Sequence, residues 1–329
     1  MLKPFHFALI TSGLFLAAGL SACGSSDAEQ VETITVANIE GNPTLVWIAD
    51  DKGYFGNNNL DVTTKDYSSG TAAVDAVLAG EADISISAEF VFVSNSFTNR
   101  NLRILGAVDS REIMELIAIK DREIIVPRDL KGRRIGVTKK SAAEFFLGTF
   151  LTYNGIGLAD VEVVDVNPED MAETLISGGV DAVLTWPPIT LGIKQQLGNS
   201  ALSWSGQNGR KYHMVLMTTD EYIKEKPDTI RRFIKSLVQA EGYASSNITT
   251  LKRDVAEEYN IDPSLIELLW ENLDFALRLS QELLLIMEDE ARWRISNGLT
   301  NAERSPNYLN YIYFEALEEA NPDAVTIIR

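Results

Sequence analysis

Histidine and cysteine offer little material for catalysis in this sequence. The chain holds two histidines, His6 and His213, and one cysteine, Cys23, among 329 residues. This inventory cannot close an intramolecular disulfide, and it supplies neither a Ser–His–Asp or Cys–His arrangement nor the usual zinc sites. The 47 acidic residues guarantee accidental carboxylate pairs, so a pair alone marks no acid–base site. We therefore expect no catalytic residue, no metal and no cofactor, and a protein that is not an enzyme.

Helix starts are the first candidates for holding a ligand. Three segments combine a capping residue with a helix start: Asn42-Pro43, Ser69-Gly70-Thr71 and Ser141-Ala142-Ala143. The first turn of a helix presents unpaired N–H groups and a partial positive charge, which suit a carboxylate, a sulfonate or a similar group. Plain N-capping explains Ser69 and Ser141 equally well, and the two roles can coexist.

Glutamate and aromatic side chains lie at or near the same predicted loops. Small-molecule pockets typically combine aromatic walls with a few polar anchors. Trp186 is the leading candidate because Pro187-Pro188 fixes the turn that carries it at a strand end. For the aromatic residues, packing in the core is the alternative role. The expected ligand-binding residues are Glu40, Asn42, Ser69, Gly70, Thr71, Glu89, Phe90, Ser141, Glu144, Phe145 and Trp186.

The charges near these candidates point in opposite directions. Lys139, Lys140 and Arg111 favour an anionic ligand, although surface lysines are usually only solvated. The three candidate glutamates repel an anion and favour an amine or an NH-rich heterocycle. The sequence leaves both ligand types open.

The elements that position these residues alternate between strands and helices. Short β-rich segments such as Leu60–Thr64 and Arg134–Val137 are separated by helices, which predicts mostly parallel sheets with helices on both faces. From Pro227 to about Asn297 the pattern is nearly all helical.

A short motif occurs twice and indicates that the alternating part consists of two similar α/β units. Its two copies, Leu78–Ile84 and Ile176–Ala182, share the same order of apolar, small, Gly and Asp positions, and we call this repeat the internal echo. We expect the Asp in each to bond turn amides where a helix gives way to a strand. Ligands bind beyond the carboxyl ends of strands in open α/β sheets. The strand ends that follow the echoes, Ser87–Phe90 and Thr185–Pro188, should therefore face each other across a cleft.

Composition and the first residues indicate where the chain works. Its net charge of −18 makes binding to nucleic acid or anionic membranes unfavourable, because the summed field repels both. An apolar run over Phe5–Leu20 follows a positive start and precedes Leu20–Cys23, so 1–22 reads as a secretory signal. Leu20–Cys23 resembles the bacterial lipoprotein signal, in which the cysteine is acylated. We expect lipidation of Cys23, and a flexible tether over 23–30.

Several short motifs appear in an order that is familiar from one family. These are Gly53-Tyr54-Phe55, the stretch from Ser69 to Asp83, Asp129–Val137, and Gly179–Ala182 followed by Trp186-Pro187. Together they resemble the substrate-binding lipoproteins of the nitrate, sulfonate and taurine (NitT/TauT) group of ABC importers. That group lies in the type II periplasmic-binding-protein superfamily, which includes NMT/THI-like binders of thiamine precursors.

The resemblance implies an α/β fold of two lobes joined by two crossover strands, with a helical C-terminal third. The crossovers are expected near Ile117–Ile119 and His213–Val215, which gives 31–120 plus 213–329 as lobe 1 and 121–212 as lobe 2. The implied function is capture of a small solute, either an anion such as a sulfonate or an amine or pyrimidine-like heterocycle. The solute would pass to an ABC permease and its separate ATPase, with the protein lipid-anchored on the periplasmic or extracellular side of a bacterial membrane. The alternatives are a ligand-sensing lipoprotein that signals to a membrane receptor, and an enzyme like the thiamine-pyrimidine synthase.

Overall fold

The computed structural model describes residue 1 and residues 30–329 apart from residue 260, with no side chain described at 263, 264 or 268. The expected signal peptide, Cys23 and nearly all of the expected tether lie outside the described residues. Residues Val31–Arg329 form one compact unit. Within the described residues, no helix combines the length and the apolar character needed to cross a bilayer.

Eleven strands in the described residues form two sheets. The first sheet has the order β11-β4-β10-β3-β1-β2, and the second has the order β7-β6-β8-β5-β9. In chain order the strands are β1 (Glu32–Ile39), β2 (Leu60–Tyr67), β3 (Ile84–Ala88), β4 (Leu102–Arg111), β5 (Glu115–Ile119), β6 (Arg134–Val137), β7 (Glu162–Asp165), β8 (Ala182–Thr185), β9 (Ala201–Ser205), β10 (Tyr212–Thr219) and β11 (Leu273–Arg278).

Helices connect most of these strands. Those with α-helical geometry in the described residues are α1 (Leu45–Asp51), α2 (Tyr54–Asn57), α3 (Gly70–Leu78), α4 (Glu89–Ser96), α5 (Ala142–Tyr153), α6 (Met171–Ser177), α7 (Ile189–Leu197), α8 (Asp220–Glu225), α9 (Pro227–Ser246), α10 (Ile248–Glu258), α11 (Pro263–Glu271), α12 (Gln281–Ser296) and α13 (Glu315–Ala320).

Each sheet has three parallel strands on one side and antiparallel strands on the other. In the first sheet β1 pairs parallel to both β2 and β3, whereas β10, β4 and β11 are antiparallel additions. In the second sheet β6 pairs parallel to β7 and β8, and β5 and β9 are antiparallel. The expectation of mostly parallel sheets therefore holds only for β3, β1 and β2 in the first sheet and for β7, β6 and β8 in the second.

The internal echo marks equivalent positions in the two sheets. Asp83, which directly precedes β3, accepts a hydrogen bond from the amide of Thr35 in β1 at 2.7 Å. Asp181, which directly precedes β8, accepts one from the amide of Arg134 in β6 at 2.8 Å. Each aspartate thus bonds the neighbouring parallel strand and not its own turn, so the motif sets the register between two strands.

The chain passes between the sheets twice. It leaves the first sheet after Arg111 and enters the second at Glu115, and it returns between Ser205 and Tyr212. Ile117–Ile119 lie within β5 of the second sheet, and His213–Val215 lie within β10 of the first. The crossing points therefore lie a few residues before the segments expected from the sequence.

The C-terminal third contains a strand that the sequence pattern missed. β11 pairs antiparallel with β4 at the edge of the first sheet, between α11 and α12. Its alternation of Leu273, Phe275 and Leu277 is a period-two signal. That signal is only six residues long and is flanked by strong helical patterns, which is why the segment was assigned to helix.

Two of the three expected helix starts are confirmed. The Ser69 hydroxyl accepts from the amide of Ala72 at the start of α3, and the Ser141 hydroxyl accepts from the amide of Ala143 at the start of α5. The third is wrong, because α1 begins at Leu45 after Thr44. Asn42 instead bonds the side chain of Asn38 in β1, which keeps it outside the helix.

Candidate functional site

A cavity lies where the carboxyl ends of strands from both sheets approach each other. We call it the central cavity, and about 1080 Å³ of empty space lies within it, part of which is open to solvent. The first sheet contributes Ser87 and Ala88 at the end of β3, and the second contributes the segment Trp186–Pro188 after β8. The two strand ends selected by the echo therefore line one cavity.

Most of the wall of the central cavity is apolar. The larger aliphatic and aromatic side chains come from strands of the first sheet, from the segment after β8, from the first crossing between the sheets, and from α4, α7, α10 and α11 with the residues that follow α10. They are Ile39, Val91, Ile113, Met114, Trp186, Leu191, Tyr212, Met214, Val255, Ile261, Ile266, Leu269, Trp270 and Leu273. A wall of this kind favours ligands with an apolar body.

The polar end of the central cavity lies at the starts of α3 and α5. Gly70, Ser87 and Ser141 line it, and Ser87 is fully buried with no hydrogen-bond partner for its hydroxyl within the described residues. A Cβ at Gly70 would overlap the Ser87 hydroxyl, so only glycine allows the helix start to come this close to β3. The Ser87 hydroxyl is thereby packed against the start of α3.

Arg111 lines the central cavity but is already neutralised. Its Nε and Nη2 donate to the two carboxylate oxygens of Asp109 at 2.6 Å each, and both side chains are buried. The guanidinium also donates to the side-chain oxygen of Asn42 and to the carbonyl of Pro43. Burial alone would lower the pKa of Arg111, but the charge of Asp109 more than offsets it, so the pKa lies above its ordinary value.

Eight of the eleven sequence-predicted residues reach a cavity, but they are divided between two. Glu40, Asn42, Gly70, Ser141 and Trp186 line the central cavity. Ser69, Thr71 and Glu144 line a second, more polar groove between the start of α3 and the ends of β6 and β7, together with Lys139, Lys140 and Arg294.

Glu144 is tied to its own helix start. Its Oε2 accepts from the amide of Lys140 at 3.0 Å and from Nη1 of Arg294 at 3.3 Å. Burial raises the pKa of the Glu144 carboxyl, and the Lys140 amide and Arg294 act against that rise. The carboxylate therefore acts as a cap on α5 and as a bridge to α12.

The structure places Phe90 and Phe145 in the core, and neither lines the central cavity. Their rings stack with centroids 5.6 Å apart, and Trp293 of α12 contacts both of them edge-on at 5.9 and 5.4 Å. The cation of Arg294 lies over the Phe90 ring. These rings therefore join α4, α5 and α12, which matches the packing role held open for them.

Glu89 is also buried away from the central cavity, in a small acidic cluster. Its Oε2 accepts from the amide of His213 at 3.0 Å, and its Oε1 lies 3.9 Å from Nδ1 of the same histidine. Glu290 of α12 is fully buried beside it, and neither of its carboxylate oxygens has a hydrogen-bond partner within the described residues. Burial, followed by the charge of Glu89, raises the pKa of Glu290 well above its ordinary value.

Sequence reasoning missed several wall residues for identifiable reasons. Ser87 lies in the strand end predicted to line the cleft, but Glu89 and Phe90 of the same segment were the predicted ligand-binding residues. Trp270 and Leu269 come from α11, more than eighty residues beyond the last echo, and no local signal ties that helix to the strand ends. Within the described residues, no group of three or more His, Cys, Asp or Glu is placed to hold a metal ion.

Known proteins with similar sequences are named as binding proteins. The chain is 24% identical over 208 residues to a protein of Brucella abortus (strain 2308) with the provisional name of a binding protein, covering 62% of this chain and 64% of that relative. It is 23% identical over 216 residues to the taurine-binding periplasmic protein of Escherichia coli (strain K12), covering 64% and 66%.

Solved structures share the fold. The alkanesulfonate-binding protein SsuA from Xanthomonas axonopodis pv. citri, solved with bound MOPS, superposes with a TM-score of 0.73 at 15% identity, covering 87% of this chain and 99% of SsuA. The architecture is therefore that of a periplasmic binding protein, as the sequence led us to expect. The sequence model of the NMT1/THI5-like family matches residues 41–247, which is more than half of the chain. The chain therefore belongs to the NMT1/THI5-like family.

Proposed function

We propose that this protein is the solute-binding component of an ABC importer and captures a small solute in the central cavity. The observation that carries the proposal is that one cavity takes its walls from the strand ends of both sheets. A ligand seated there contacts both halves of the fold at once, so binding favours a state in which they are closed. The names of the taurine-binding and alkanesulfonate-binding relatives support the same role.

The two halves correspond to two lobes that move about the crossings. The sequence-based boundaries are 31–120 with 213–329 for lobe 1 and 121–212 for lobe 2. We propose to move these boundaries to the two crossings between the sheets, at 112–114 and 206–211. Closure around the solute would create the surface that docks on the permease, and a separate ATPase would drive transport. The protein itself would leave the solute chemically unchanged.

Binding is tested by thermal-shift screening of the purified protein against sulfonates, nitrate, pyrimidines, amines and aromatic compounds. A ligand that binds only the folded state at 100 times its Kd adds about 2.7 kcal/mol to the free energy of unfolding. Trp186→Ala should weaken any hit about tenfold or more while the melting temperature of the free protein stays nearly unchanged. Trp204→Ala is the matched control, because Trp204 lies in β9 and does not line the central cavity. Equal losses in both variants, or chemical turnover of a hit, would contradict the proposal.

A lipid on Cys23 would hold the protein on the outer side of a bacterial membrane. This part of the proposal depends on the sequence of the first 23 residues and on the extracytoplasmic location named for the taurine-binding relative. Cys23→Ser should move the protein from the membrane fraction to the soluble fraction without changing ligand affinity. Retention of the variant on membranes would refute the assignment.

A further inference from the structure

The cation on the wall of the central cavity is neutralised by a buried carboxylate. Arg111 and Glu40 are the charged residues that line it within the described part of the chain, and Arg111 is paired on both carboxylate oxygens with the buried Asp109. Glu40 is exposed at the rim. An anionic ligand would find no unpaired side-chain cation on this wall. Moving its charge out of water would therefore be costly.

Some of the backbone N–H donors at the two helix starts of the polar end are already used within the protein. At α3 the Ser69 hydroxyl already accepts from the amide of Ala72. At α5 the Ser141 hydroxyl accepts from the amide of Ala143, and the Glu144 carboxylate accepts from the amide of Lys140. A carboxylate at the first turn of α5 offsets the positive end of the helix dipole, which weakens its attraction for a second anion.

The described residues on the wall of the central cavity also lack a free carboxylate that could bind a cationic ligand below the rim. The carboxylate of Asp109 behind the wall is occupied by two hydrogen bonds from Arg111. The remaining carboxylate, Glu40, is hydrated at the rim, so an ammonium placed deeper would lose its own hydration without gaining a partner.

The body of the ligand would meet an apolar chamber with aromatic sides. Trp186 and Leu191 come from the second sheet and α7, whereas Trp270, Leu269 and Ile266 come from α11. Because these side chains approach from different elements, they can cover both faces of a ring system. Burial of apolar area then supplies most of the binding free energy.

The hydroxyl of Ser87 is the polar group on this wall that a ligand oxygen could bond. Ser87 is the single fully buried wall residue whose side-chain oxygen lacks a hydrogen-bond partner within the described residues. A buried hydroxyl without a partner is costly, and one ligand oxygen in hydrogen-bond reach would satisfy it.

We propose that the central cavity selects an uncharged aromatic or alicyclic solute that carries one hydroxyl or carbonyl oxygen. The apolar body lies between Trp186 and the α11 side chains, and the oxygen bonds Ser87. The inference rests on the proposed solute-binding function and narrows its substrate class. It separates this chain from the taurine-binding and alkanesulfonate-binding relatives, whose named ligands carry a charged head group.

Three naphthalene derivatives with different head charges test the selection for charge. Isothermal titration of the full-length protein at pH 7.5 would compare 2-naphthalenemethanol, 2-naphthoate and 2-naphthylmethylammonium. The alcohol should bind about tenfold or more tightly than either charged compound, and benzyl alcohol should bind about tenfold more weakly than 2-naphthalenemethanol because it buries less apolar area. Equal or tighter binding of a charged compound, no effect of ring size, or no binding of any of the four overturns the inference.

Substitutions on the wall of the central cavity test whether the ligand binds there. Leu191→Asn and Leu269→Asn should each weaken binding of 2-naphthalenemethanol about fivefold or more, since both leucines are half-buried on the wall. Leu285→Asn is the control, because Leu285 is 56% exposed on α12 and does not line the cavity. Ser87→Ala should bring the affinity for 2-naphthalenemethanol close to that for 2-methylnaphthalene. The proposed position of the ligand is contradicted if Leu191→Asn and Leu269→Asn both leave the affinity unchanged. It is also contradicted if Ser87→Ala leaves the difference in affinity between 2-naphthalenemethanol and 2-methylnaphthalene unchanged.

A hydrophilic panel of taurine, nitrate and small amines separates the two proposals. If a hydrophilic solute binds and the naphthalene series does not, the inference about substrate class fails and the solute-binding function stands. If neither panel gives a binding heat or a thermal shift, both proposals fail.

Discussion

Glu290 carries an unpaired carboxylate in the interior, and its replacement by glutamine should stabilise the protein. The residue is fully buried on α12, and neither oxygen has a hydrogen-bond partner within the described residues. Burial raises its pKa first, the nearby charge of Glu89 raises it further, and Arg210 acts against the rise. Glutamine keeps the shape and removes the charge.

The size of the gain should depend on pH. Below about pH 4.3 the carboxyl is protonated in both the folded and the unfolded protein, so Glu290→Gln should be nearly neutral. Above that pH the unfolded state releases the proton while the folded state holds it. The free energy of unfolding of the wild type therefore falls by up to about 1.4 kcal/mol per pH unit until the folded-state pKa is passed. Glutamine does not titrate, so the advantage of Glu290→Gln over the wild type should grow by up to that amount per pH unit between pH 5 and the folded-state pKa.

Urea unfolding followed by tryptophan fluorescence at pH 5, 6.5 and 8 measures this gain. Glu288→Gln is the matched control on the same helix, because Glu288 is half-exposed and pairs with Arg292 at 3.4 Å. Its effect should stay within about 0.5 kcal/mol at every pH. The reasoning is refuted if Glu290→Gln destabilises the protein at pH 8, or if its advantage over the wild type does not grow between pH 5 and pH 8.

Two further substitutions probe the buried contacts. Gly148→Ala should lower the free energy of unfolding by about 1–3 kcal/mol in urea titrations, because the added Cβ would overlap the ring of Trp293. Gly242→Ala, a helical position with open space around it, should instead be neutral or stabilising by up to about 1 kcal/mol, and equal effects would rule out the steric account. Asp109→Ala should cost about 3–5 kcal/mol in the same assay, because it leaves the buried cation of Arg111 without its carboxylate. A loss below about 1 kcal/mol would show that Arg111 does not depend on this pair.

The repeated architecture could be predicted because short sequence patterns encode it locally. The aspartates of the echo, Asp83 and Asp181, each lie directly before a strand and bond the amide of the neighbouring parallel strand. A pattern that fixes strand register in both halves of the molecule is visible in the sequence without knowledge of long-range contacts. Ser69 and Ser141 were predictable for a similar reason, because an N-cap acts within three residues of its own position.

Features that depend on distant packing could not be predicted. β11 is a strand because β4 offers it a free edge, and nothing within six residues encodes that edge. Trp270 reaches the central cavity only because α11 folds back over the strand ends. Arg111 was considered as a possible anion site, but its partner Asp109 lies two positions earlier on the same strand. This contact, by contrast, was open to prediction once β4 was recognised, because side chains two positions apart on a strand share a face.

The distribution of side chains around β3 explains why the end of this strand lines the central cavity while Glu89 and Phe90 do not. Ser87 lies at the end of the strand and faces the central cavity, but α4 begins at Glu89 without an intervening loop. Successive side chains alternate between the two faces of a strand but rotate around the axis of a helix, so the direction of the side chains changes where β3 passes into α4. Glu89 and Phe90 consequently face α12 and α5, where they meet Glu290 and Phe145. Of the three glutamates that suggested an amine ligand, Glu89 is thus part of the packing behind the central cavity, Glu144 lines the second groove, and Glu40 is exposed at the rim. The rest of the wall of the central cavity is largely uncharged and apolar.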